Sequence, residues 1–119
     1  ATSSGLAILA FSSGDVQTAF FAGRHFEAVT PATVIDPAAL RKTLAQVRRD
    51  GFAEIRDANV VGASGVSAPV LDTEGRVIAA LNLGAPTWRY DEVRSTLIEL
   101  VRREAARLTT ALERGGKAD

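Results

Sequence analysis

At 119 residues the chain has room for one domain with a real core, not for two. Fourteen Lys and Arg balance fourteen Asp and Glu, so no global field draws the chain onto nucleic acid or an anionic membrane. Cys is absent, which excludes disulfides, thiolate metal sites and cysteine nucleophiles together and fits a reducing compartment. The apolar runs fall far short of the ~20 residues that cross a bilayer, and the opening ATSSG lacks the basic start of a signal peptide. A soluble cytoplasmic protein is the expectation. The first residue is Ala rather than Met, and a helical pattern begins almost at once, so the chain reads as a piece of something longer.

Thr2, Ser3 and Ser4 are N-cap residue types ahead of the apolar run from Leu6 to Phe11, which predicts a short, buried first helix. Ser12, Ser13 and Gly14 break it, and Asp15 to Phe21 reads as a second short helix ended by Gly23. From Arg24 to Ile35 the Val- and Thr-rich stretch with Pro31 suggests irregular or extended structure. Asp36 followed by Pro37 is a strong helix start, because the carboxylate can accept a free N–H and proline has none to lose. Leu40, Leu44 and Val47 then fall on one face, with Arg41, Lys42, Arg48 and Arg49 largely off it, and Gly51 closes the helix.

Phe52 to Ile55 and Val66 to Leu71 read as strands, and a polar turn from Asp72 to Arg76 joins the second to a third at Val77 to Leu83 as an antiparallel hairpin. Gly62, Ala63, Ser64 and Gly65 form a small-residue stretch where a backbone can approach a ligand closely. Asp91 opens a long helix to about Glu113, with Val93, Leu97, Leu100, Val101, Leu108 and Leu112 on its buried face and a Glu99–Arg103 pair on its surface. Residues 115–119 read as a flexible tail and residues 1–114 as the domain. Helices with a few antiparallel strands make an α+β arrangement. So few strands for so much helix points to further strands upstream.

The segment DPAALRKTLAQVRRDGFAEIRDANVVGASGVSAPVLDTEGRVIAALNLGAP, Asp36 to Pro86, resembles the ligand-domain core of IclR-family transcriptional regulators. That family shows DP-x-x-L, then RR-x-GY/F, an acidic segment, G-x-x-C-x-A-x-P-V, D-x-x-G and A-A-L-S-[VI]-S-G-P, in this order and spacing. The opening ATSSGLAILAF is similar to the family's H-A-[TS]-x-x-G-K-x-x-LAF. The resemblance implies a GAF-like antiparallel sheet flanked by helices, lacking its first strands in this piece. It implies a sensor of small organic, often aromatic, acids rather than an enzyme, assembling as a homodimer or tetramer. DNA would be read only by a separate winged helix-turn-helix domain, and neither membrane nor cofactor enters. The alternative is a ligand-free oligomerisation module of the same regulator class.

Carried over position by position, the resemblance places the ligand's carboxylate near Ser3 and Ser4. Free N–H groups and the helix dipole make such a terminus an anion site, and the serines read equally well as plain caps. A family acidic position falls on Ile55, the Cys of G-x-x-C on Gly65, an apolar wall position on Ala63, and the two Ser of S-[VI]-S-G on Asn82 and Gly84. The implied pocket is more apolar than the pattern's usual one and roomier at Gly65.

Other signals carry less. His25 is the single His and has no H-x-x-x-H or H-x-x-E partner, so no metal is expected. Ser64 sits in GASGV, which fails G-x-S-x-G at its last position, and no catalytic residue is assigned. Arg41, Lys42, Arg48 and Arg49 read as a solvated helix face rather than a nucleic-acid patch. Trp88 and Tyr90, placed in a loop, suit either a subunit interface or packing of the last helix on the sheet.

Overall fold

The computed structural model describes residues 2–22, 36–58 and 60–117. Four helices and three strands follow in the order α1 (Ser3–Ala10), α2 (Gly14–Phe21), α3 (Pro37–Asp50), β1 (Ala53–Arg56), β2 (Ala63–Leu71), β3 (Val77–Pro86) and α4 (Thr87–Lys117). The strands form one antiparallel sheet in the order β1-β2-β3. The fold is α+β, as expected.

Local chemistry sets most of the boundaries. Thr2 caps α1 by accepting the Gly5 N–H, Ser13 caps α2 by accepting that of Val16, and Asp36 caps α3 by accepting that of Ala38 with Pro37 in the first turn. Gly51 ends α3 in the left-handed region at φ 82°, which costs glycine no Cβ clash. Asp72 accepts the N–H groups of Glu74 and Arg76 and so folds the β2–β3 turn, with Gly75 at φ 79°.

The pleat sends alternate residues to opposite sides of the sheet, and each side has its own cover. Val66, Ala68 and Val70 of β2 join Leu81 and Leu83 of β3 against Tyr90, Val101 and Ala105 of α4. On the other side Ala53 and Ile55 of β1 and Ala80 of β3 meet Leu6, Ala7 and Ala10 of α1, behind which Leu40, Leu44 and Val47 of α3 pack. The result is a sheet between α4 on one face and α1 with α3 on the other.

The strands and the last helix are longer than the sequence pattern predicts. β2 begins at Ala63, so the supposed flexible stretch 62–65 is mostly paired strand: Ala63, Ser64 and Gly65 face Pro86, Ala85 and Gly84. β3 runs on through Gly84 to Pro86, because glycine and an edge proline are tolerated at the end of an outer strand. α4 then starts at Thr87, putting Trp88 and Tyr90 in its first turn rather than in a loop, and it continues through Gly115 to Lys117 where a tail was expected. Leu108 and Leu112, assigned to its buried face, are 45% and 43% exposed. Arg103 donates to Glu104, not to Glu99. Ile8 of α1, expected to be buried, is exposed. The readings of Gly23, Arg24 to Ile35 and His25 lie outside the described residues.

Candidate functional site

The side chains that meet α1 across the sheet are small. Ile55, Gly65 and Gly84 lie side by side in register across the three strands, with Ala63 and Pro86 paired one step beyond. Next to the row where Ala53, Ser67 and Asn82 are aligned, the first two fully buried and Asn82 exposed, the N-terminus of α1 crosses above. Small strand residues beneath a helix end leave a gap, a cleft of about 640 Å³ lined by Thr2, Ser3 and Ser4 at the start of α1, by Val60 and Gly62 of the β1–β2 connection, and by Ile55, Ala63, Ser64, Gly65, Asn82, Gly84, Ala85 and Pro86 of the strands. That volume falls within the roughly 300–1,000 Å³ of small-molecule sites. All seven residues singled out in the sequence, Ser3, Ser4, Ile55, Ala63, Gly65, Asn82 and Gly84, line this one cleft.

One pole of the cleft is polar. The Thr2 hydroxyl takes the Gly5 N–H and the Thr2 carbonyl that of Leu6, which leaves the Ser3 and Ser4 N–H groups with no partner among the described residues. Thr2 is thus the cap and the serines form the first turn, with N–H groups that have no partner among the described residues. Ser67, fully buried on β2, ties the end of α1 to the sheet: its Oγ lies 2.8 Å from Ser3 Oγ and 3.2 Å from Ser4 Oγ. Asn82 Nδ2 donates to Ser3 Oγ at 2.7 Å and to Ser67 Oγ at 2.8 Å. Apart from Ser64, whose hydroxyl is tied to Thr87, the rest of the wall is made of glycine and apolar residues.

Gly65 is not simply a vacated side-chain position. A Cβ built there would sit 3.0 Å from the Leu83 carbonyl oxygen, so any side chain requires β2 and β3 to shift. The extra room expected at Gly65 exists only in so far as the strands approach this closely.

The outer lip of the cleft is braced by an acid. Asp57, at φ 56°, accepts the Gly62 N–H at 2.8 Å and the Thr87 hydroxyl at 2.7 Å. Thr87 in turn lies 2.8 Å from Ser64 Oγ and donates its N–H to the Gly62 carbonyl. The Thr87 and Gly62 hydrogen bonds hold the Asp57 carboxyl below its ordinary value. The lip is thus fastened to the first residue of α4.

Behind the cleft, the residues between those facing α1 point at α4. Glu54 accepts from Tyr90 Oη at 2.6 Å and from Arg94 Nε at 2.6 Å, and Arg56 pairs with Asp91 at 2.6 Å. Burial alone would raise the Glu54 carboxyl; the hydrogen bonds from Arg94 and Tyr90, with the charges of Arg94 and Arg56, outweigh it and lower the pKa. The same burial and the Glu54 bond push the Tyr90 phenol upward. These groups are paired with one another and offer no free nucleophile. Among the described residues no three His, Cys, Asp or Glu side chains gather as metal ligands, and no helix is long and apolar enough to cross a membrane.

Val60 and Ser67 were not singled out in the sequence, Thr2 was read only as a cap, and Gly62 and Ser64 only as part of a stretch open to close backbone approach. The period-2 alternation could have found Ser67, which shares a face with Gly65 once β2 is extended back to Ala63. Nothing local marks Val60.

The model of the bacterial transcriptional regulator IclR C-terminal family matches residues 1–110. The chain belongs to the IclR family. It corresponds to the effector-binding part of these regulators, which are not enzymes. The HTH-type transcriptional regulator XynR of Escherichia coli (strain K12) is 37% identical over 92 residues, 77% of this chain and 36% of XynR. An IclR homologue from Microbacterium hydrocarbonoxydans, solved with 4-hydroxybenzoate, is 33% identical at a TM-score of 0.82, covering 94% of this chain and 45% of that one. The inducer-binding domain of a double mutant of the Acinetobacter transcription factor PobR, solved with 3-hydroxybenzoic acid, is 28% identical at a TM-score of 0.82, covering 92% and 63%. The chain spans about a third of the length of the curated IclR relatives it matches.

Proposed function

We propose that this IclR-type domain senses a small organic acid with an apolar body and that the bound acid modulates DNA binding by a winged helix-turn-helix domain of the same regulator. The observation that carries the reading is the make-up of the cleft: Ser3 and Ser4, whose N–H groups have no partner among the described residues, line it together with Ile55, Val60, Ala63, Gly65, Gly84 and Pro86. The helix dipole and those N–H groups favour a carboxylate at that pole, and the apolar wall favours a ring or branched chain beyond it. Two similar proteins were solved with hydroxybenzoates, which fits the same division of the ligand. A ligand shifts the arrangement of attached domains only as far as it prefers one arrangement. The brace from Asp57 to Thr87 gives the cleft a direct mechanical link to α4. The regulator is a homodimer or tetramer in this reading and acts in the cytoplasm.

The test is a thermal-shift screen of the full-length regulator against aromatic and aliphatic carboxylates. An acid that binds the native state raises the unfolding midpoint, by mass action. If no acid does so while the protein still assembles into dimers, the domain is a ligand-free assembly module instead.

A further inference from the structure

Asn82 is the polar side chain on the strand side of the cleft's anion pole, and its amide is not free to choose which end it shows. Nδ2 donates to Ser3 Oγ at 2.7 Å and to Ser67 Oγ at 2.8 Å, and it lies 3.4 Å from the Val66 carbonyl oxygen. A serine hydroxyl can either give or take a hydrogen bond, so the two serines alone would not orient the amide. A backbone carbonyl only accepts, so the nearness of the Val66 carbonyl favours the nitrogen over Oδ1 at that place. Both amide hydrogens are then spent inside the protein. Oδ1 has no hydrogen-bond partner among the described residues, and because Asn82 is an exposed residue of the cleft lining, this oxygen is available to a ligand.

The surroundings keep that oxygen accessible. Gly65 and Gly84, paired with each other on the same face of the sheet, bring no side chain alongside it, and a Cβ on Gly65 would stand 3.5 Å from Nδ2. The amide also lies close to the anion pole, because its nitrogen bonds the hydroxyl of Ser3, whose own N–H is one of the two unpartnered donors. Nitrogen and oxygen of an amide share one carbon, so Oδ1 is within a few bond lengths of where a carboxylate would rest. An acceptor beside a bound carboxylate repels a second carboxylate or an ether oxygen and attracts an O–H or N–H.

Resting on the acid-sensing reading, we infer that the effector is a hydroxy acid whose hydroxyl sits on the carbon next to the carboxyl group, with the apolar body beyond, and that Asn82 reads this hydroxyl through Oδ1. Ser67 is the positioning residue. It does not line the cleft, and it acts by holding the amide nitrogen away from it.

The experiment is calorimetric titration of the full-length regulator with three matched acids: the better-binding enantiomer of mandelate, its O-methyl ether, and phenylacetate. The hydroxy acid binds about tenfold tighter than either of the others, the value of one good hydrogen bond. In Asn82→Ala that advantage disappears. In Ser67→Ala the amide can turn its nitrogen to the cleft, and the ether gains on the hydroxy acid, a change in ratio that loss of stability alone does not produce. Equal binding of all three acids to the wild type, or a preference for the ether, overturns this inference and leaves acid sensing intact. Binding of none, together with no stabilisation by any acid of the thermal-shift panel, overturns both.

Discussion

The two faces of one three-stranded sheet are built on different plans. Towards α4 the strands present Val66, Ala68, Val70, Leu81 and Leu83, and the helix answers with Tyr90 and Val101, both fully buried. Towards α1 the corresponding positions are Gly65, Ser67, Asn82 and Gly84, which fill little space and carry hydroxyl and amide groups. The first face is a packed core with a charged clamp at its edge; the second leaves a cleft whose polar groups are oriented by one another. Alternate residues of the same strand thus line a packed core on one side and a cleft on the other, while Ala53, Ile55 and Ala80 keep the α1 side packed beside the cleft.

The largest test of that division is Tyr90→Ala, which removes a fully buried ring and the hydroxyl held by Glu54. Equilibrium unfolding in urea is expected to show a loss of about 3–5 kcal/mol. A loss under 1 kcal/mol would mean that α4 does not carry the core. Next is Glu54→Gln, which leaves Arg94 and Tyr90 without their carboxylate; at 23% and 42% side-chain exposure for the Glu54–Arg94 pair, about 1–2 kcal/mol is expected. Because the folded-state pKa of Glu54 lies below its ordinary 4.5, its contribution is complete above about pH 5 and is lost as the pH falls through the folded value. Unfolding curves of wild type and variant should accordingly converge in acid. Divergence there would contradict the direction of the shift.

On the cleft side, Gly65→Ala places a Cβ 3.0 Å from the Leu83 carbonyl and should cost about 1–2 kcal/mol through strand displacement. It should also weaken any acid that stabilises the wild type. An unchanged ligand response would place the binding surface elsewhere. The smallest expected effect is that of Trp88→Ser. The ring is 80% exposed, so the unfolding free energy of the monomer should change by less than about 0.5 kcal/mol. A concentration-dependent fall in stability on this substitution would instead reveal Trp88 in a subunit interface.

The helices were legible because their signals are local. Asp36 with Pro37, Gly51 and the spacing of Leu40, Leu44 and Val47 fix α3 almost to the residue. The sheet was read too short for a related reason: Ala63 to Gly65 and Gly84 to Pro86 carry residues of poor strand propensity, and their pairing with one another holds them extended. The start of α4 was placed four residues late because its first turn is fastened by long-range partners. Thr87 binds Asp57 and Ser64, and Tyr90 binds Glu54.

For the cleft, the resemblance supplied seven positions and the structure drew them around one space. Asn82 was expected to orient a ligand, but which of its amide atoms faces the cleft depends on Ser67 and the Val66 carbonyl, 15 and 16 residues away in sequence.

The order of the elements, the Asp36 cap and the apolar face of α3 were determined by the sequence alone, since caps, turns and periodicities act within a few residues. The cleft's polarity and the closeness of β2 to β3 at Gly65 were decided only by tertiary structure. They depend on how a helix end, two strands and a connecting loop fit together, and hydrogen-bond orientation is a property of partners rather than of the residue itself.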